Sequence, residues 1–197
     1  MNNIAKSLIN PFDRIAGWKS FFIGIAIVVA TVVVGWQSSI CFRGALDAKT
    51  VYKLDFDWAL YCQFISLAAL VGVFYLAALI FARGTRFQDI LGTITFSRFP
   101  YLFIALLGFL STDAELAEMN QVVSSGNVSE LLSYLTTNIK QILLPILMIP
   151  FLIWSIVLLY NAFRVSTGLK GAKCGVVFTT SLILAEIISL IFIFLMK

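Results

Sequence analysis

Three uninterrupted runs without a charged residue constrain this chain more than any other feature of its sequence. They cover residues 20–42, 58–82 and 141–163 and are 23, 25 and 23 residues long. A helix needs about 20 mostly apolar residues to cross the roughly 30 Å hydrocarbon layer of a bilayer. Backbone amides must be paired in lipid, and continuous apolar runs lack the alternation of barrel strands, so each run is predicted to be a membrane-spanning helix.

Two further segments are apolar except for one charge each. Residues 90–112 contain Arg98, and residues 174–196 contain Glu186. Counting both segments predicts an all-α, polytopic membrane helix bundle with five transmembrane helices. The third segment has only 14 uncharged residues after its arginine, so an in-plane helix around residues 86–97, followed by a shorter span, is the alternative.

The composition agrees with a membrane protein and argues against an enzyme. Hydrophobic residues make up 60% of the chain and charged residues 12%, whereas soluble domains carry about 25% charged residues. The chain has no histidine, and its three cysteines form no CxxC pair. Histidine is the commonest metal ligand and a frequent general base. We therefore expect no catalytic residue, no metal site, no cofactor and no nucleic-acid partner.

The distribution of lysine and arginine sets the expected orientation, because these residues favour the cytoplasmic side of a membrane. With five spans and a cytosolic N-terminus, nine of the 14 cations belong to the inner side and five to the outer side. This favours an N-in, C-out topology, whereas a four-span count would return the C-terminus to the cytosol. The expected location is a multi-pass membrane position, in the inner or plasma membrane if the chain is prokaryotic.

The regions outside the spans are short. Residues 1–19 carry apolar residues at near-helical spacing, which predicts a cytosolic amphipathic segment, with a frayed terminus as the equal alternative. Residues 20–197 form the membrane domain. Its longest connection, residues 113–140, is predicted to be an outer helical loop with a break at residues 123–126. Asn127 is the expected N-cap of the helix after that break.

A short basic turn joins the fourth and fifth spans, so these two helices should pack antiparallel. Arg164, Lys170 and Lys173 supply three cations beside two glycines. A phosphate site is one interpretation, but the spacing does not match a phosphate-binding loop. The favoured interpretation is a positive-inside turn that binds anionic headgroups loosely at the inner face of the bilayer.

Three prolines are predicted to bend helices, because proline lacks an amide hydrogen and leaves a carbonyl unpaired. Pro145 and Pro150 lie within the fourth span. Pro100 is expected to start or bend the third helix.

Arg98 and Glu186 are the candidate functional residues, because a charge within a span costs at least about 2.5 kcal/mol and normally faces a partner. From the inner ends of their spans they lie about 12 and 18 Å deep, at 1.5 Å per residue. An extended arginine side chain covers that difference, so we predict an intramembrane ion pair. The pair either fixes helix register or moves protons or substrate, with Glu186 titrating. Without pairing, Arg98 would snorkel toward the inner face.

Two segments carry a pattern seen in a known family. One passes through the fourth span into the basic turn and includes Leu144-Pro145, Phe151-Leu152-Ile153-Trp154-Ser155 and Arg164-Val165-Ser166-Thr167-Gly168. The other opens the third span as Thr95-Phe96-Ser97-Arg98-Phe99-Pro100-Tyr101. Together they resemble the Yip domain family, the Ypt-interacting proteins.

The resemblance implies five spans, a cytosolic N-terminus and no catalytic signature. It implies a non-enzymatic role in membrane organisation or traffic, through helix packing and contacts with a membrane-protein partner or further copies of the chain. Only residues 1–19 precede the first span, which makes the chain more similar to prokaryotic members. The alternative is a small transporter or channel with a polar cavity around Arg98 and Glu186.

Overall fold

The computed structural model describes residues 10–13, 15, 17–82 and 84–196, and most of them are helical. Five helical segments are long and apolar enough to cross a membrane. Their bounds are Gly17–Gln37, Phe56–Phe81, Phe87–Leu110, Ile139–Thr167 and Gly171–Leu195. The chain is a multi-pass membrane protein, and the predicted count of five spans is confirmed. The direction in which the chain crosses stays a prediction.

The helices, strands and turns follow one another along the chain in the order given next. They are a 3-10 turn (Pro11–Asp13), α1 (Gly17–Gln37), β1 (Ile40–Phe42), β2 (Ala48–Thr50), α2 (Phe56–Phe81), α3 (Phe87–Phe96), α4 (Phe99–Leu107), a second 3-10 turn (Gly108–Leu110), α5 (Asp113–Ser125), α6 (Val128–Thr137), α7 (Ile139–Thr167) and α8 (Gly171–Leu195). The third span therefore consists of α3, α4 and the second 3-10 turn.

The bundle has two ends. The turn end carries the α2–α3 connection and the turn between α7 and α8, which meet where Lys173 Nζ donates a hydrogen bond to the Phe81 carbonyl at 3.2 Å. The hairpin end carries strands β1 and β2, helices α5 and α6, and the last turn of α8. The charge distribution predicts that the turn end faces the cytosol.

Helices α1 and α3 approach each other very closely at the turn end. A Cβ atom on Gly92 would lie 2.3 Å from the Gly17 carbonyl oxygen. A Cβ atom on Gly24 would lie 2.6 Å from the Phe96 backbone nitrogen. Ser20 Oγ donates to the Gly92 carbonyl at 3.0 Å. Small residues thus allow the backbones of the first and third spans to touch, as in many membrane helix pairs.

The third span lies at the centre of the bundle. In its most apolar window 61% of the residues are buried, against 28% to 39% in the other four spans. The span is interrupted between α3 and α4, where the Tyr101 amide donates to the Arg98 carbonyl one residue short of the α-helical partner. Pro100 lies in the first turn of α4. The unused Ser97 carbonyl accepts from Ser155 Oγ of α7 at 3.4 Å.

The other two predicted bends lie inside one continuous helix. Helix α7 includes Pro145 and Pro150 and does not end at either. It ends at Thr167 and is followed by Gly168, whose φ of 67° is in the left-handed region that glycine adopts readily.

Two predicted boundaries need correction or restriction. Residues 38–42 were expected to complete the first span, but the helix ends at residue 37 and β1 follows, so the fold is not purely helical. Residues 1–9, 14 and 16 of the predicted amphipathic segment lie outside the described residues. Within the described part, Phe12 is buried and packs with Leu158 and Ala162 of α7.

Candidate functional site

The connection between the first and second spans folds back into the bundle. Strands β1 and β2 pair antiparallel with Phe42 opposite Ala48, and the Arg43 amide donates to the Asp47 carbonyl at 3.1 Å. Residues 44–46 form the turn between them and are called the hairpin tip below. All three residues of β1 are at most 3% exposed, so this strand lies inside the bundle, whereas β2 is half-exposed.

Two glycines outside the hairpin give strand β1 the space to enter. A Cβ atom on Gly35, near the end of α1, would lie 2.8 Å from the Ile40 carbonyl oxygen. A Cβ atom on Gly108, at the end of the third span, would lie 2.6 Å from the Ser38 carbonyl oxygen. The hairpin therefore passes between the first and third spans at a distance that larger residues would prevent.

Arg98 and Tyr101 hold the hairpin tip from the interrupted third span. Arg98 Nη1 donates to the Ala45 carbonyl at 2.8 Å, and Nη2 donates to the Gly44 carbonyl at 3.2 Å. The Tyr101 hydroxyl also donates to the Ala45 carbonyl, and the Arg98 guanidinium lies 4.5 Å from the centre of the Tyr101 ring. Arg98 is 2% exposed and Tyr101 is fully buried. Irregular backbone at membrane depth needs partners of this kind within the protein.

Glu186 binds the same tip from the fifth span. Its Oε2 accepts from the Leu46 amide at 2.9 Å. A Cβ atom on Gly44 would lie 2.4 Å from Glu186 Oε1, so a side chain at this position would displace the carboxylate. The cation thus pairs with carbonyl oxygens and the anion with an amide hydrogen. Each charged group therefore faces the end of a peptide dipole that carries the opposite partial charge.

Both charges lie near the middle of their spans. Arg98 comes 11 residues after the start of α3, and Glu186 comes 15 residues after the start of α8. At 1.5 Å per residue these positions are about 16 and 22 Å from the turn end. The hairpin tip therefore reaches deep into the bundle from the hairpin end.

The predicted ion pair between Arg98 and Glu186 is not formed. Among the described residues, salt bridges within 4 Å join Arg43 to Asp47 and Lys140 to Glu115. Arg98, which is buried, and Glu186, which is half-buried, both have partners, but the backbone of the tip supplies them. Unpaired peptide groups in an apolar interior are costly. The peptide groups of the tip therefore bind both side chains in place of the bond that the two side chains would make to each other.

The three cations of the basic turn lie at the turn end, apart from the hairpin tip. Arg164, Lys170 and Lys173 are all exposed. Over the described part of the chain, no cluster of His, Cys, Asp or Glu side chains could hold a metal ion. The arrangement at the tip is therefore one of backbone recognition by an arginine, a tyrosine and a glutamate.

Comparison with known proteins identifies no protein similar to this chain. The chain matches no protein-family profile, no curated protein and no solved structure. Membership of the Yip domain family is therefore not shown.

Sequence reasoning missed the hairpin, its tip residue Gly44, and Tyr101, which binds the tip. Tyr101 follows Arg98 by three residues and shares its helix face, which could have marked it as a companion of the charge. Gly44 carries no such signal, because a single glycine in a short connection between two spans is typical of an exposed loop. The charged residues Arg43 and Asp47, on either side of residues 44–46, likewise indicate an exposed loop.

Proposed function

We propose that this chain is a non-enzymatic membrane protein that acts through contacts with partners in the plane of the membrane, including further copies of itself. The use of Arg98 supports this proposal most directly. Both terminal nitrogens of its guanidinium bind the hairpin tip, and the residue is 2% exposed. An intramembrane charge that moves protons or substrate needs water or an exchangeable partner. Here the partner is a fixed part of the backbone.

The proposed biological role is membrane organisation of the Yip type. It is supported by the sequence pattern around Trp154 and by the architecture of five spans. In the structure the Trp154 ring lies 5.6 Å from Phe99 and 5.9 Å from Phe103, centre to centre. The pattern residue thus packs the fourth span against the third, as expected for a motif that maintains a bundle.

A small transporter or channel is the second candidate, and one observation favours it. The third span is discontinuous at residues 97–98, and many transporters form their substrate sites from discontinuous helices. In this alternative the hairpin would withdraw and open a path past Arg98 and Glu186.

Flux measurements in proteoliposomes separate the two candidates. We expect proton and ion flux through the reconstituted wild-type protein to equal that of empty liposomes. Flux above that level that is lost in Glu186→Gln would establish the transporter and end the proposal.

In-membrane cross-linking tests the partner contact itself. A photoreactive residue at Phe64, which is 67% exposed on α2, should give discrete cross-linked species in native membranes, whereas one at the interior position Leu70, which is 1% exposed, should give none. If Phe64 and comparable exposed positions on all five spans give no discrete species, the proposed contacts do not exist.

A further inference from the structure

Two adjoining hollows open at the hairpin end, where the hairpin meets the ends of the second and fifth spans. The larger has a volume of about 780 Å³ and is lined by Arg43, Lys49 and Thr50 of the hairpin and by Leu190 and Phe194 of α8, among others. We call it the cationic hollow. Its walls combine basic and hydroxyl groups with an apolar helix face, and its volume lies in the range of ligand pockets.

The smaller hollow has the opposite charge. It has a volume of about 620 Å³, and its lining includes Asp55, Asp57, Trp58 and Tyr61. We call it the acidic hollow. Trp58 and Met196 line both hollows, so the two are contiguous. The Trp58 and Tyr61 rings stack with their centres 5.6 Å apart.

The charged groups of both hollows retain free bonding capacity. Arg43 binds Asp47 through Nε and Nη2, which leaves Nη1 without a partner among the described residues. Lys49 and Asp57 are exposed, and the side chain of neither forms a hydrogen bond or ion pair with the described residues. A ligand with both an anionic and a cationic group would therefore find unused partners of each sign.

The position of the hollows indicates a lipid. They lie at the start of α2 and the end of α8, which are the ends of two spans. Tryptophan and tyrosine concentrate at the headgroup level of membranes, and Trp36 packs beside Phe56 at this same end, with ring centres 5.4 Å apart. Leu190 and Phe194 continue from the cationic hollow along the span toward the bilayer core.

We propose that the two hollows together bind one zwitterionic phospholipid, whose headgroup carries a phosphate and an ammonium group. The phosphate accepts hydrogen bonds from Arg43 and Lys49 in the cationic hollow. The ammonium group lies beside Asp57 and the face of the Trp58 ring in the acidic hollow. The acyl chains follow the apolar face of α8.

The bound lipid would stabilise the hairpin in its inserted position. Arg43 flanks the hairpin tip directly, and Lys49 lies on β2. Contacts to these residues are made only while the hairpin occupies the bundle, so headgroup binding favours that state by mass action. This inference does not depend on the proposed function, because it concerns lipid selectivity and not flux or partner contacts.

Native mass spectrometry of the detergent-solubilised protein tests the selectivity. The probes are phosphatidylethanolamine, phosphatidylglycerol with a phosphate but no ammonium, and diacylglycerol with neither group. We expect phosphatidylethanolamine to bind most tightly and diacylglycerol most weakly. Lys49→Gln should weaken both phospholipids, and Asp57→Asn should weaken phosphatidylethanolamine alone, each by about fivefold as expected for an exposed ion pair.

Matched controls distinguish a site from general surface charge. Lys170→Gln, at the turn end, and Asp113→Asn, in the first turn of α5, remove equivalent exposed charges and should leave lipid binding unchanged. Equal binding of the ethanolamine and glycerol lipids, or no effect of Asp57→Asn, would overturn the zwitterionic site. Competition by inorganic phosphate plus ethanolamine as strongly as by the lipid would show headgroup recognition without a membrane and also overturn it.

Discussion

The β-hairpin (residues 38–54) and the helical connection of α5 and α6 (residues 111–138) join spans at the same end of the bundle, but their backbone groups find partners in different places. The hairpin tip is bound by side chains 53 to 140 residues away in sequence. The helical connection is capped mainly by its own residues. Thr112 and Glu115 form a reciprocal capping box, and Asn127 Oδ1 accepts from the Ser129 amide at 3.1 Å.

The difference follows from the surroundings of the two connections. Water satisfies the free carbonyl and amide groups of an exposed loop, so local caps are enough. No water is available to a turn inside the hydrocarbon zone, so each of its polar groups needs a protein partner. We expect mutations of the hairpin tip, or of the side chains that bind it, to cost several times more than mutations in the helical connection. The following changes test that expectation in decreasing order of effect.

Replacing Arg98 with methionine should have the largest effect. The change removes two charge-assisted hydrogen bonds to buried carbonyls, a loss of about 3 kcal/mol. The free energy of unfolding, measured by denaturant titration in mixed micelles, should fall accordingly. Arg86→Met is the matched control, since Arg86 is exposed. Equal stability of the two variants would show that the interior hydrogen bonds contribute nothing.

Replacing Gly44 with alanine should have the second largest effect. The new Cβ would lie 2.4 Å from Glu186 Oε1 and would push the carboxylate away from the Leu46 amide, and leaving that amide unpaired costs about 2 kcal/mol. The same measurement on Gly175→Ala, where nothing lies within 4 Å of the Cβ position, should show no loss. Adding Glu186→Ala to Gly44→Ala should cost less than the sum of the two single changes. Additive costs would mean that the two residues do not touch.

Replacing Glu186 with glutamine should cost less, about 1 kcal/mol, because the amide oxygen still accepts from the Leu46 amide and only the charge is lost. Glu186→Ala should cost more than Glu186→Gln in the same unfolding experiment. If the glutamine variant is as unstable as the alanine variant, the charge itself and not the hydrogen bond holds the tip.

Breaking the ion pair of the helical connection should have the smallest effect. Lys140 Nζ lies 3.0 Å from Glu115 Oε2, and both side chains are partly exposed, so Lys140→Met should cost about 0.5 kcal/mol or less and less still in high salt. The Thr112 amide and Lys140 lower the pKa of Glu115 from its ordinary value of 4.5. Because the pKa is lower in the folded chain, the stability that ionised Glu115 contributes is present above pH 4.5 and is lost as the pH falls below it. A loss of stability as large as that of Arg98→Met would contradict the expected difference between the hairpin and the helical connection.

Local features of the fold were predictable from the sequence. The capping residue Asn127 and the break near Gly126 were expected from residue type, and Gly126 adopts a left-handed φ of 67°. Pro100 marks the point where the third span restarts. Such features depend on a few adjacent residues, so they can be predicted from the sequence.

The candidate site was only partly predictable. Arg98 and Glu186 stood out because charges are rare within spans. Their partner did not, because residues 43–47 have the polarity of an exposed loop and no local signal distinguishes a loop that enters the bundle. Gly44 and Gly108, which make room for the hairpin and its partners, contact residues far from them in the sequence.

By itself the sequence determined that this chain crosses a membrane five times and that two of its spans each contain one charged residue, because length and polarity alone decide which segments can lie in lipid. Only the tertiary structure decided what the two charges bind. A buried charge takes the nearest unpaired group of suitable sign, and which group is nearest depends on how the connection between the first two spans folds. That connection folds inward, and its backbone separates the two residues that the sequence paired.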